Sequence, residues 1–273
     1  MKKPFNLRLN VMLKNSHYQG LYSLKSHISI LKDRDWLRKH AESVLKDGVN
    51  LVVEISGEIF ELKRNMVVKL FGWRNTPSKM LSPFMHSRAT NSWDNAHWLL
   101  RNKIQTPRPI SVYTQRQFGI IKENFFICEA IHHHNNAREI VQHDNLDLGT
   151  KVHLVELLAS IVQRIHNTKM TYNDLNLSNF LVQDYRPEKI FLIDQNRAKR
   201  WLVLPRSRRM NDIARMNLCT CNTLTDDHFC FLEVFLRAYS GERYKSDKIL
   251  LKTSMRKRFF HKELKSIRNR LYR

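Results

Sequence analysis

The stretch Tyr172-Asn173-Asp174-Leu175-Asn176-Leu177-Ser178-Asn179-Phe180-Leu181-Val182 is followed, after a turn containing Pro187, by Lys189-Ile190-Phe191-Leu192-Ile193-Asp194. An Asp and an Asn five residues apart lead into one short apolar strand, and a second apolar strand ends in another Asp. Asp and Asn are common in surface turns for conformational reasons alone. Here the spacing and both flanking strands agree, which two unrelated turns would not produce. A loop and a neighbouring strand end therefore bring Asp174, Asn179 and Asp194 together as a set of oxygen-bearing side chains. A carboxylate of this kind can take a proton from a hydroxyl, and the other oxygens suit a hard cation such as magnesium.

Working outward, the pattern changes near residue 49. Val49 to Ile55, Ile59 to Lys63 and Met66 to Phe71 read as a three-strand meander, separated by Ser56-Gly57 and Arg64-Asn65. Lys69 lies inside the apolar run Val67-Val68-Lys69-Leu70, where an unpaired charge is costly, so an anion is expected there. An edge-strand lysine is the plainer alternative. Ala89, Trp93, Ala96 and Leu100 predict a helix over 85–102, and 110–113 and 118–128 read as strands. The polar segment 129–145 reads as a hinge and linker with no element of its own. Helices are expected at 33–46, 152–166, 209–217 and 226–239, with a basic stretch from Lys245. Residues 1–48 carry no sharp motif and are treated as an N-terminal extension that could also complete the following lobe.

The loop, the strand pair and Lys69 resemble the lipopolysaccharide core kinases, the Kdo and heptose kinases of the protein-kinase-like superfamily. Arg164-Ile165-His166 ahead of the loop, Arg197-Ala198 after Asp194, Thr106-Pro107, and Asp212-Ile213-Ala214-Arg215-Met216 add to the resemblance. It implies an α+β, two-lobed fold: a β-rich N-lobe over 49–130 and a mainly helical C-lobe over 131–273 with a basic C-terminal helix. It also implies phosphoryl transfer from ATP with magnesium to a sugar hydroxyl of the lipopolysaccharide inner core. Asp174 is then the base, Asn179 and Asp194 the magnesium ligands, and Lys69, Glu129 and Gly57 the ATP contacts. Asp212 is the residue that braces the loop. Glu129 reads either as a hinge contact or as a solvated loop residue. The sequence departs from the family pattern at Tyr172, which replaces the loop His, and at Gln195, which replaces an aromatic. The Gly-rich loop is reduced to Gly57. The helix Glu that would pair with the lysine falls at Ser92, and Asp94 lies about 200° around the helix from it.

The 47 Lys+Arg against 25 Asp+Glu give a formal charge of +22, which calls for an anionic partner. Lipopolysaccharide core glycolipid and the anionic inner-membrane surface fit, with nucleic acid as the weaker candidate. The basic run that includes Arg256, Lys257 and Arg258, interleaved with Phe259 and Phe260, points the same way. No run approaches the roughly 20 apolar residues that a transmembrane helix needs. Met1-Lys2-Lys3-Pro4 is not followed by a signal-peptide core, so a cytoplasmic protein peripheral on the inner membrane is expected. Cys128, Cys219, Cys221 and Cys230 lack paired C-x-x-C spacing and read as reduced structural thiols. His132-His133-His134 reads as exposed loop, and His166 as a residue packed at a helix end. Two other readings stay open: a kinase-like enzyme with a protein or small-molecule acceptor, and a pseudokinase module that binds anionic partners.

Overall fold

The computed structural model describes residues 10–15, 27–73, 79–142, 146–186, 188–218 and 230–271. The first nine residues, Pro187, Cys219, Cys221 and residues 226–229 of the expected C-terminal helix lie outside them. Two compact units are present. The first comprises Met1–Arg101, Thr106–His132 and Asp194–Arg197, and the second Asn102–Gln105, His133–Ile193 and Ala198–Arg273.

The first unit contains β1 (Asn10–Asn15), α1 (Ile28–Lys32), α2 (Arg34–His40), β2 (Ser43–Lys46), β3 (Leu51–Ile55), β4 (Met66–Leu70), α3 (Arg88–Arg101), β5 (Pro109–Gln117) and β6 (Ile120–Glu129). Its strands pair antiparallel in the order β1-β5-β6-β4-β3-β2. Alternation along β3 and β4 gives the sheet two apolar faces. Leu51, Val53, Ile55, Met66 and Val68 pack with Leu31 and Leu37 of α1 and α2. Val67, Phe126 and Cys128 face α3, which buries Ala89, Trp93 and Ala96 at helical spacing. Each Leu, Val, Ile, Phe or Met side chain among them contributes about 1.5–3 kcal/mol when fully buried.

Two expectations are corrected here. The helix expected over 33–46 ends at His40. Asp33 caps its start by accepting from the Asp35 and Trp36 amides, but Ala41 is extended, and Ser43–Lys46 instead pairs with β3. Leu37, Ala41 and Val44 fit helical spacing, yet pairing with β3 gave that backbone partners which no isolated turn offers. The strand expected at 59–63 is a 3-10 turn over Gly57–Phe60, with Glu61 left-handed at φ 58°. The meander is thus two strands. Of the two readings of residues 1–48, completion of the following lobe fits their described parts, which join the sheet as β1 against β5 and β2 against β3.

The second unit contains β7 (His134–Asn136), α4 (Ala137–Gln142), α5 (Leu148–Asn167), β8 (Met170–Thr171), β9 (Phe180–Gln183), β10 (Ile190–Leu192), β11 (Lys199–Arg200), α6 (Arg206–Ile213), α7 (Phe231–Ser240) and α8 (Tyr244–Leu271). β7, β9 and β10 form one small antiparallel sheet, and β8 with β11 another. Leu154, Leu158, Val162 and Ile165 line the buried face of α5, against which α7 packs through Phe235, Leu236 and Tyr239.

The segment expected to lack structure holds β7 and α4. Asn136 Oδ1 accepts from the Glu139 amide at 3.0 Å while Glu139 Oε2 accepts from the Asn136 amide at 3.1 Å, a reciprocal capping box. Ala137, Ile140 and Val141 are then buried. Helix α8 is anchored by buried Asp247 in its first turn, which accepts from Arg206 Nε at 3.0 Å and Ser240 Oγ at 2.7 Å. Among the described residues no helix is long and apolar enough to cross a membrane.

Candidate active site

In the second unit the loop between β8 and β9 is fastened from several sides. Asn173 is left-handed at φ 62°, a conformation Asn tolerates better than most residues. The amides of Tyr172 and Asn173 both donate to buried Asp212, at 2.5 Å to Oδ2 and 2.7 Å to Oδ1. His166 reaches the same carboxyl through Nε2 at 3.3 Å, and its Nδ1 meets the Tyr239 hydroxyl at 2.7 Å. Since the carboxylate can only accept, Nε2 donates and Nδ1 accepts from Tyr239. Burial pushes the His166 pKa down, with Asp212 opposing the shift. Arg215 Nη1 donates to the Asn173 carbonyl at 2.8 Å.

The far end of the loop is held equally well. Asn179 Nδ2 donates to the Asp174 carbonyl at 2.9 Å, and the Ile193 amide donates to the Asn179 carbonyl at 2.9 Å. Buried Tyr172 donates its hydroxyl to the Ile193 carbonyl. The side-chain amide of Asn179 is thereby oriented with its nitrogen engaged, and its oxygen is the end that suits a hard cation. Asp174 and Asn179 are thus brought together by a direct bond.

The first unit holds the other four candidates. Asp194 is left-handed at φ 66°, and Asn196 Nδ2 donates to its Oδ1 at 2.6 Å. Buried Gln195 links this turn to α3: its Nε2 donates to the Ser92 carbonyl at 3.4 Å, and Asn95 Nδ2 donates to its own carbonyl at 3.0 Å. Asn196 Oδ1 is buried without a hydrogen-bond donor among the described residues. An orphaned oxygen beside a carboxylate is an environment that favours a cation, so the residues present fit magnesium. Among the described residues no three His, Cys, Asp or Glu gather closely enough to hold a metal unaided.

Lys69 is half-buried in the middle of β4, opposite Val52 and Phe126. Its ammonium makes no hydrogen bond or ion pair with a described residue. It acts on the thiol of Cys128, which burial pushes up to about 11, Lys69 opposing the shift and Glu129 reinforcing it. Glu129 closes β6 and is buried, with Arg64 at 3.8 Å, so the solvated-loop reading does not hold. Gly57 is also buried. A Cβ there would meet the Arg64 carbonyl oxygen at 2.0 Å, so close packing by itself demands glycine.

Residues 74–234 match the sequence profile of the Lipopolysaccharide kinase (Kdo/WaaP) family. The chain belongs to this family. Phosphorylation of a lipopolysaccharide inner-core sugar is the activity that membership carries, and ATP is its phosphoryl donor. A solved structure described as WaaP in complex with acyl carrier protein is 17% identical, with a TM-score of 0.58 over 82% of this chain and 90% of that one. The likeness shows that the fold is protein-kinase-like. No curated sequence matches the chain.

Within the Kdo/WaaP family frame, the departures acquire physical roles. Tyr172 ties the loop to the end of the β10 segment, and Gln195 fastens the Asp194 turn to α3. Ser92 does not replace the missing carboxylate, because its hydroxyl donates back to the Arg88 carbonyl at 2.9 Å. Further residues were not read from the sequence as part of the site. Asp174 opens on a cavity of about 770 Å³, and Arg138 of α4, Arg215 and two arginines of α8 also line it. The signal for Arg138 was the Asn136–Glu139 capping box, which marks α4 in the sequence.

Proposed function

We propose that Asp174 is the general base, Lys69 the phosphate anchor, and Asn179 and Asp194 the oxygen ligands of ATP-bound magnesium in this family's reaction. Magnesium supplies charge neutralisation at the phosphates. The acceptor hydroxyl loses its proton to the Asp174 carboxylate as its oxygen bonds the γ-phosphorus, and the bond to the departing ADP oxygen breaks. The Asn179 bond fixes the Asp174 backbone, and Asp212 holds the preceding turn, so the base is positioned before the acceptor arrives. Glu129 and Gly57 complete the nucleotide side in this reading. The α8 cations support a peripheral place on the anionic cytoplasmic face of the inner membrane.

The observation that carries the assignment is the double hold on the loop, from Asp212 behind and Asn179 ahead. The test is magnesium-dependent ATP consumption by the purified protein, with and without lipopolysaccharide core. Acceptor-dependent turnover is expected, reduced about 10²–10⁴-fold by Asp174→Ala, as for loss of a general base. Asp194→Asn should raise the magnesium requirement and lower turnover. Full transfer by the Asp174→Ala protein would remove Asp174 from the role.

A further inference from the structure

We infer that the cavity beside Asp174 is an oxyanion pocket for the acceptor, in which arginines of α8 grip a carboxylate or phosphate on the core sugar. This rests on the assignment of Asp174 as the base. The cavity lies wholly within the second unit and is lined by Asp174, four arginines and one further acid, Glu263. General-base chemistry needs no arginine, so this excess of positive charge requires a separate cause.

The arrangement of the arginines supplies one. Arg138 Nη2 donates to Asn176 Oδ1 at 2.5 Å, while its Nε is buried without a partner among the described residues. Arg215 is tied to the Asn173 carbonyl. Arg258 is half-buried near Arg215; burial first and then that neighbour lower its pKa, with Asp174 and Asp212 opposing. Arg256 is exposed at the rim. Guanidinium groups crowded in this way repel one another until an oxyanion enters, and the planar fork suits carboxylate and phosphate alike. Phe259 and Phe260 of the same lining offer apolar surface to the C–H face of a sugar ring.

Arg256 and Arg258 lie beyond the residues 74–234 that match the family profile. Acceptor recognition therefore draws on a helix outside that profile. The first turn of that helix is fixed by the Asp247 anchor.

Binding of delipidated core oligosaccharide to the full chain without nucleotide, followed by titration calorimetry, tests the pocket independently of turnover. The Arg256→Gln/Arg258→Gln protein should bind about 10–100-fold more weakly, as for loss of charge-assisted hydrogen bonds. Its KM for acceptor should rise in step while its KM for ATP stays unchanged. Arg256→Gln alone, at an exposed position, should weaken binding several-fold without altering the melting temperature. Carboxyl-reduced and dephosphorylated oligosaccharides identify the oxyanion, because the arm that lacks it should bind wild type and double variant alike. Unchanged affinity in the double variant overturns the pocket, as does wild-type binding indifferent to removal of both anions or absent altogether. Binding that depends on Arg258 in a protein without kinase turnover would instead keep the pocket and overturn the assignment of Asp174.

Discussion

The loop of the second unit and the β4 lysine of the first are held in opposite ways. Around Asp174 the backbone is fastened by dedicated side chains: Asp212 takes two amides, Tyr172 reaches the Ile193 carbonyl, and Asn179 holds the Asp174 carbonyl. Lys69 has no such shell. Its place comes from the strand ladder, Val52 on one side and Phe126 on the other, and the residue at the family's helix-carboxylate position turns inward on its own helix. The loop around Asp174, the proposed proton acceptor, is thus built by side chains that a substitution can remove one at a time, and the strand that carries Lys69, the proposed phosphate anchor, by backbone that no single side chain controls.

The sharpest way to break this comparison is Asp212→Ala. It leaves the Tyr172 and Asn173 amides and His166 without their acceptor, at a cost of about 1–3 kcal/mol for each buried group left unpaired. A large fall in both melting temperature and kcat is expected, measured on the same preparation. A stable, active variant would show that the loop stands without its brace.

Lys69→Met should do the reverse. ATP affinity is expected to drop about tenfold, the scale of one charge-assisted contact, while the melting temperature holds or rises because a half-buried charge is removed. Fluorescent-nucleotide titration and a thermal melt separate the two. Lost stability with intact ATP affinity would mean that Lys69 is structural.

The smallest effect is that of pH. Folded His166 holds its proton less tightly than the unfolded chain, so the unfolded state binds more protons as pH falls through the ordinary 6.5. The stability gained from neutral His166 is present above that value and is lost progressively below it. Melting curves from pH 7.5 to 5.5 should show the decline, and His166→Asn should flatten it.

Much of the candidate site was legible along the chain. The spacing from Asp174 to Asn179 and the apolar run that ends at Asp194 are local patterns, and local patterns survive translation into a strand pair and a tight loop. Lys69 was legible because a charge in an apolar strand stands out. Less visible were the partners 46 to 103 residues away. His166, read as a helix-end residue, is also a bridge from Tyr239 to Asp212, and Ser92 is the acceptor that secures Gln195. The helix expected across 33–46 failed for the same reason: β3 offered Ser43–Lys46 a ladder that helical spacing could not anticipate.

The sequence by itself determined the chemistry: a carboxylate, an amide and a second carboxylate at spacings that suit phosphoryl transfer, on a chain of charge +22 that requires anionic company. It did so because turn chemistry and strand periodicity act over a few residues. Only the tertiary structure decided which of the many arginines line the cavity with Asp174, since Arg138 of α4, Arg215 of the turn after α6 and Arg258 of α8 come from separate parts of the chain. That convergence depends on long-range packing and on the buried Asp247 anchor of α8, whose bonds to Arg206 and Ser240 no local pattern encodes.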